Sequence, residues 1–125
     1  MILLLDAHAL LWWLADDPTL DRQAFGAIQD PINDVLVSVA TVWEIAIKRA
    51  LGKLEVPDGL VEAADRAGID VVPVTGADAE TAGALPAHHR DPFDRMLVAQ
   101  ASRIGAVVVS RDRAFGDYGV PVLPA

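Results

Sequence analysis

Short, unbroken apolar runs alternate along this chain with longer amphipathic stretches. Ile2 to Leu5 is a continuous aliphatic run, the pattern of a strand covered on both faces. Ala7 to Ala15 (AHALLWWLA) favours a helix, and Asp16-Asp17-Pro18 ends it. Leu20 to Gln29 predicts a second helix, followed by turn chemistry at Asp30-Pro31 and Asn33-Asp34. Val35 to Val39 predicts a second strand, and Ala40 to Leu51 a long helix closed by Gly52. Pro57 to Gly68 predicts another helix. Ile69 to Val74 predicts a third strand, which Pro73 assigns to a sheet edge or a strand end. Gly76 to Leu85 is a short helix and Pro86 to Arg90 a loop. Asp91-Pro92 opens a helix that runs to Ile104, with Gly105 as its stop. Ala106 to Val109 predicts a fourth strand, Asp112 to Phe115 a helical turn, and Val120 to Leu123 a last short strand.

Strands that alternate with helices, and that are apolar throughout, indicate a three-layer α/β domain with a mostly parallel sheet. The 125 residues suit a single domain spanning 1–125. No internal repeat or interdomain linker interrupts them. Neither GxGxxG nor GxxxxGK[ST] occurs, so the common nucleotide-binding fingerprints are missing.

Composition narrows the chemistry. Hydrophobic residues make up 53% and charged residues 22%, which favours a packed core over disorder. There is no cysteine, which excludes a disulfide scaffold, thiolate zinc sites and cysteine nucleophiles. The net charge of −8 leaves no broad basic face for wrapping duplex DNA. Contact with nucleic acid through a metal and a few local arginines stays open. Asp6 ends the first apolar run and no basic segment precedes it, so no signal peptide is expected. The apolar runs are far shorter than the roughly 20 residues needed to cross a bilayer. The expectation is a soluble cytoplasmic protein with no membrane partner.

In a parallel α/β sheet the strand C-termini and the N-termini of the following helices share one edge, where ligands bind. Asp6 follows the first strand directly. Glu44 lies early in the helix after the second strand, Asp91 and Asp94 open the helix before the fourth strand, and Asp112 follows that strand by three residues. Each acid also has a structural explanation. Asp6, Asp91 and Asp112 suit helix caps, Asp94 suits the positive end of a helix dipole, and Thr41 with Glu44 spells a capping box. Together, however, four separate segments each deliver a carboxylate to one edge. Two unit charges 4 Å apart repel by about 4 kcal/mol at an effective dielectric of 20. Such a cluster calls for a cation or for raised pKa values. Carboxylate oxygens suit Mg²⁺, with Mn²⁺ as the alternative. His8, His88 and His89 lack zinc-like spacing, which makes zinc the weaker fit. A hard divalent ion can polarise a phosphoryl oxygen and acidify a bound water, so metal-assisted phosphodiester hydrolysis is the chemistry implied.

Four segments carry a family resemblance: MILLLDAHALLWWL around Asp6, SVATVWEIAIKRALGKL around Glu44, HHRDPFDRMLVAQA around Asp94 and VVVSRDRAF around Asp112. In their order and spacing the chain resembles the PIN-domain ribonucleases, in particular the VapC-type toxins of bacterial type II toxin–antitoxin pairs. The resemblance spans nearly the whole chain. It implies a parallel sheet of about five strands flanked by helices, and a Mg²⁺-dependent endoribonuclease. Asp6 and Asp94 would be direct ligands, while Glu44 and Asp112 would act through water or position the attacking hydroxide. It also implies a homodimer, and a cognate antitoxin whose tail enters the acidic groove. Two departures stand out. Ala7 replaces the Thr or Ser that many relatives carry after the first acid, and Ser110 replaces a frequent Thr. In DPFDR, Asp94 aligns with the family acid and Asp91 with the cap.

Other residues divide between substrate and structure. Arg95 is a candidate phosphate contact, equally readable as a partner of nearby acids. Arg90, Arg111 and Arg113 are expected to pair locally with acids on a solvated rim. His8, His88 and His89 read as rim residues, and Trp12, Trp13 and Trp43 as core or dimer packing ahead of base stacking. Lys48, Arg49 and Lys53 form a small basic patch, most simply a solvated face. RNA substrates are expected to be single-stranded loops, whose bases and backbone are accessible. Two alternatives from other classes are a receiver-like phosphoacceptor domain, disfavoured because no lysine occurs after Lys53, and a non-catalytic PIN-fold interaction module.

Overall fold

The computed structural model describes residues 1–125. Five strands form one sheet: β1 (Ile2–Leu5), β2 (Asp34–Ser38), β3 (Asp70–Val72), β4 (Val107–Val109) and β5 (Val122–Leu123). Their spatial order is β3-β2-β1-β4-β5, and every neighbouring pair is parallel. Six helices cover the sheet: α1 (Ala7–Leu14), α2 (Arg22–Gln29), α3 (Val39–Ala50), α4 (Leu60–Arg66), α5 (Gly76–Ala84) and α6 (Pro92–Ile104). A 3-10 segment, Arg113–Tyr118, lies between β4 and β5.

The unbroken aliphatic run of β1 is explained by its place. It is the central strand, and Leu3, Leu4 and Leu5 are all fully buried. Successive side chains leave a strand on opposite faces. Leu3 and Leu5 pack with Leu10 of α1, Ala24 and Ile28 of α2 and Ala64 of α4. Leu4 enters the other cluster, with Leu97, Val98 and Ala101 of α6, Val108 and Phe115. Two cores thus sandwich one sheet, which is the three-layer arrangement the pattern implied.

The differences from the sequence reading are small and local. The α4 helix begins at Leu60 and not at Pro57, because its N-cap Gly59 sits at φ +75°, outside helical geometry. Asp34 joins β2 through backbone pairing with Ile2, although its side chain is exposed and gives no apolar signal. Strand β3 stops before Pro73 and is an edge strand, as that proline suggests.

Candidate metal centre

The sheet positions the site. Leu5 is in register with Val37 of β2 and Val109 of β4, so Asp6, Ser38 and Ser110 lie along one edge. The Asp6 amide continues the ladder by donating to the Val109 carbonyl at 3.1 Å. From β1 the chain winds outward to β2 and β3, then crosses back to β4 and β5. The winding therefore reverses between β1 and β4. Crevices at such reversals are where α/β sheets bind ligands.

A cavity of about 500 Å³ opens there, lined by Asp6, Ala7, His8, Trp12, Glu44, Lys48, Asp91, Asp94, Ser110, Arg111 and Asp112. All four predicted acids are present, and Asp91 is beside them. Three of these acids also cap helices. Asp6 Oδ1 accepts from the Ala9 amide at 2.9 Å, Asp91 Oδ1 from Phe93 at 2.8 Å and Asp94 at 3.3 Å, and Asp112 Oδ1 from Ala114 at 2.9 Å. Capping and cavity lining are thus not alternatives. A cap points a carboxylate at the helix N-terminus, and these N-termini share the edge.

The capping box at Thr41 and Glu44 is not formed. Ser38 caps α3, accepting from the Ala40 amide at 3.0 Å, while Thr41 is buried inside the helix. Glu44, 6% exposed, instead pairs through Oε2 with Lys48 Nζ at 2.8 Å. Glu44 therefore has no capping duty.

The electrostatics follow from crowding. Asp94 has a pKa raised to about 7, first by burial and then by Asp91, against the opposing pull of His89. Glu44 and Asp6 add to the rise. Burial also raises Asp6, although the Ser110 hydroxyl and the Ala9 amide favour its carboxylate. Asp112 is lowered by the Ala114 amide and by His89. Lys48 is raised by its hydrogen bond to Glu44.

The arginines are assigned differently from expectation. Arg95 is absent from the cavity lining, and its guanidinium donates to carbonyls of Pro86 (3.0 Å), His89 (3.2 Å), Leu85 (2.8 Å) and Gly83 (3.4 Å). That engagement makes Arg95 a clamp on the loop that precedes α6. Arg111 pairs with no acid. It lies 4.4 Å above the Trp12 ring and donates to the Thr19 and Ala125 carbonyls.

His89 is the residue that sequence reasoning missed. Its Nε2 is 2.7 Å from Asp112 Oδ2 and 2.9 Å from Asp94 Oδ2. The ligand atoms of these three residues lie within 4.8 Å of one another. Burial works against its imidazolium, but the hydrogen bond to Asp112 and the nearby acids outweigh it and raise the pKa. The Asp91 amide pulls the other way, since Nδ1 accepts from it at 3.1 Å. Nothing in local spacing signals this role, because the loop's path decides it.

The donor set fits a hard divalent cation. Lys48 and His89 form ion pairs with these carboxylates, and Asp94 Oδ1 and Glu44 Oε1 take no hydrogen bond. Oxygen ligands in excess of local positive charge suit a divalent cation, and the mutually close ligand atoms are those of His89, Asp94 and Asp112, with Asp6 and Glu44 on the same cavity wall but outside that group.

Comparisons with known proteins give the family and the fold. The family model described as PIN domain matches residues 3–121. The chain is 30% identical over 123 residues to Ribonuclease VapC22 of Mycobacterium tuberculosis, covering 94% of this chain and 92% of that protein. Among solved structures, VapBC2 from Rickettsia felis bound to a promoter DNA fragment superposes with a TM-score of 0.70 at 12% identity, covering 99% of this chain and 98% of that one. DNA-bound VapBC from Salmonella typhimurium gives 0.68 at 19% identity, with 99% and 98% covered. FitAcB from Neisseria gonorrhoeae gives 0.64 at 19%, with 98% and 96% covered.

Proposed function

The chain belongs to the PIN domain family, and on that premise we propose that it is a metal-dependent endoribonuclease, the toxin of a type II toxin–antitoxin pair. The observation that carries the reading is the convergence of Asp6, Glu44, Asp94 and Asp112 on one cavity at the reversal of the sheet. The relative named as a ribonuclease supports the substrate class. Family membership removes the receiver-like alternative.

Asp6 and Asp94 would hold the cation, with Glu44 and Asp112 beside it. When bound, Mg²⁺ or Mn²⁺ supplies Lewis-acid polarisation of the phosphoryl oxygen and a more acidic water. The chain's own groups do the rest. Lys48 fixes Glu44 through Oε2 and leaves Oε1 to accept the proton of the attacking water. Lys48 and Arg111 offer positive charge to a phosphate at the cavity mouth. The Arg111 guanidinium is held flat by Trp12 and two carbonyls, so little ordering is needed on binding.

Two surfaces support the protein partners. An apolar groove of about 770 Å³, lined by Trp13, Leu14, Phe25, Val56, Pro57 and Leu60, adjoins the acidic cavity, and Trp12 lines both. It suits an antitoxin segment that fills the groove with apolar side chains and reaches the acids with a basic tail. On α3, Val39 and Trp43 are 45% and 62% exposed, as is its C-cap Leu51 at 64%, and Phe93 packs edge-on to Trp43. That apolar stripe suits a homodimer interface.

The test is cleavage of single-stranded RNA by antitoxin-free protein in Mg²⁺. Cleavage is expected to stop with EDTA and to fall at least a hundredfold in Asp6→Asn and Asp94→Asn. Cleavage that persists in EDTA, or that is undiminished in both variants, contradicts the proposal.

A further inference from the structure

All the polar atoms of His89 are engaged. Its amide donates to Tyr118 Oη at 2.8 Å, and its carbonyl accepts from Arg95 Nη1 at 3.2 Å. Its Nδ1 accepts from the Asp91 amide at 3.1 Å. A ring nitrogen that accepts carries no proton, so the neutral ring holds its proton on Nε2. That Nε2–H donates to Asp112 Oδ2 at 2.7 Å, and Nε2 lies 2.9 Å from Asp94 Oδ2. The loop is tied down as well. Tyr118 Oη donates to the Pro86 carbonyl at 2.9 Å, and Arg95 grips the Pro86 and Leu85 carbonyls.

A chance surface contact does not recruit a guanidinium, a phenol and a backbone amide to aim one imidazole. The two carboxylates it meets come from different elements, the first turn of α6 and the turn after β4. Each repels the other, and an Nε2–H that donates to Asp112 and lies against Asp94 offsets that repulsion. We infer that His89 is a positioning residue: its Nε2–H, aimed by the Asp91 amide and by the Arg95–Tyr118 strap, gathers Asp94 and Asp112 at the spacing in which they receive the divalent cation. This rests on the metal-site reading above and assigns it a residue outside the acidic set. Groups that orient metal-binding carboxylates matter for affinity by about ten- to a hundredfold.

The test uses the full chain at pH 8 with Mn²⁺ as probe. Calorimetry is expected to show H89A binding Mn²⁺ ten- to a hundredfold more weakly than wild type. H89Q, whose amide nitrogen can stand in for Nε2, is expected to recover most of the loss, and Y118F to show a smaller one. Nitrogen-15 NMR of the metal-free chain should find the His89 proton on Nε2, and pulsed EPR of bound Mn²⁺ should find no nitrogen coupling from His89. Undiminished Mn²⁺ binding by H89A overturns the inference alone, as does a proton on Nδ1 or a nitrogen coupling that H89A removes. If H89A does not fold, a Y118F chain that binds like wild type overturns it. Failure of the wild-type chain to bind Mn²⁺ overturns the metal-site reading, and this inference with it.

Discussion

Asp94 shows how one side chain records its surroundings. Its pKa of about 7 means that the folded protein holds a proton there which the unfolded chain, near 3.8, has released. Between those values the folded state binds more protons, so stability falls as pH rises from about 4 to 7. Asp94→Asn removes that slope. Without metal at pH 8, the variant should be more stable than wild type by about 1 kcal/mol or more, a gain of several degrees in Tm, and the gain should shrink towards pH 5. Thermal melts at both pH values check this. A loss of stability at pH 8 would mean that the carboxylates do not crowd. The same residue links metal binding to pH. Mg²⁺ must displace the proton, so affinity should weaken about tenfold per pH unit below 7. Sequence made Asp94 a site residue through DPFDR and Asp91 the cap; Asp91 does cap α6, and both carboxylates line the cavity. His89 was out of reach, because a loop clamped by Arg95 and Tyr118 has no periodicity to read.

At the scale of elements, the apolar runs and the helix stops made most of the fold legible. Aliphatic runs marked the strands, Pro92 and Gly105 marked the ends of α6, and Pro73 marked the edge strand. Strand order was not written there, since local patterning says nothing about which strand lies beside β1. The T-x-x-E match misled because Ser38, three residues earlier, caps α3 first. One ion pair ties α5 to α6. Arg103 donates to Asp78 at 2.6 and 2.9 Å, while Asp78 also closes a capping box with Thr75. The Arg103 hydrogen bonds hold the buried Asp78 carboxyl down at about 2. A lowered folded pKa contributes stability above pH 3.8 that is lost as pH falls towards 2. Asp78→Ala should therefore cost about 1–2 kcal/mol at pH 7 and much less near pH 2. Denaturant titrations at the two pH values measure the difference, and equal losses would assign the effect to packing alone.

The whole molecule must solve a charge problem. A chain of net charge −8 is proposed to act on a polyanion at its most acidic point. Lys48 and Arg111 offset this locally, and a divalent cation would complete the compensation. The exposed α3 stripe makes a second statement at this scale. Trp43→Glu should turn the proposed homodimer into a monomer by light scattering while leaving the circular dichroism spectrum unchanged, and an unaltered mass would place any interface elsewhere. No helix is long and apolar enough to cross a membrane. Anomalous diffraction from crystals soaked in Mn²⁺ is the most direct check that residues from β1, α3, α6 and the turn after β4 share one cation. The account predicts a peak in the cavity within about 2.5 Å of carboxylate oxygens of both Asp6 and Asp94, lost in Asp94→Asn. A cavity without a peak, or a peak that touches neither acid, would contradict it.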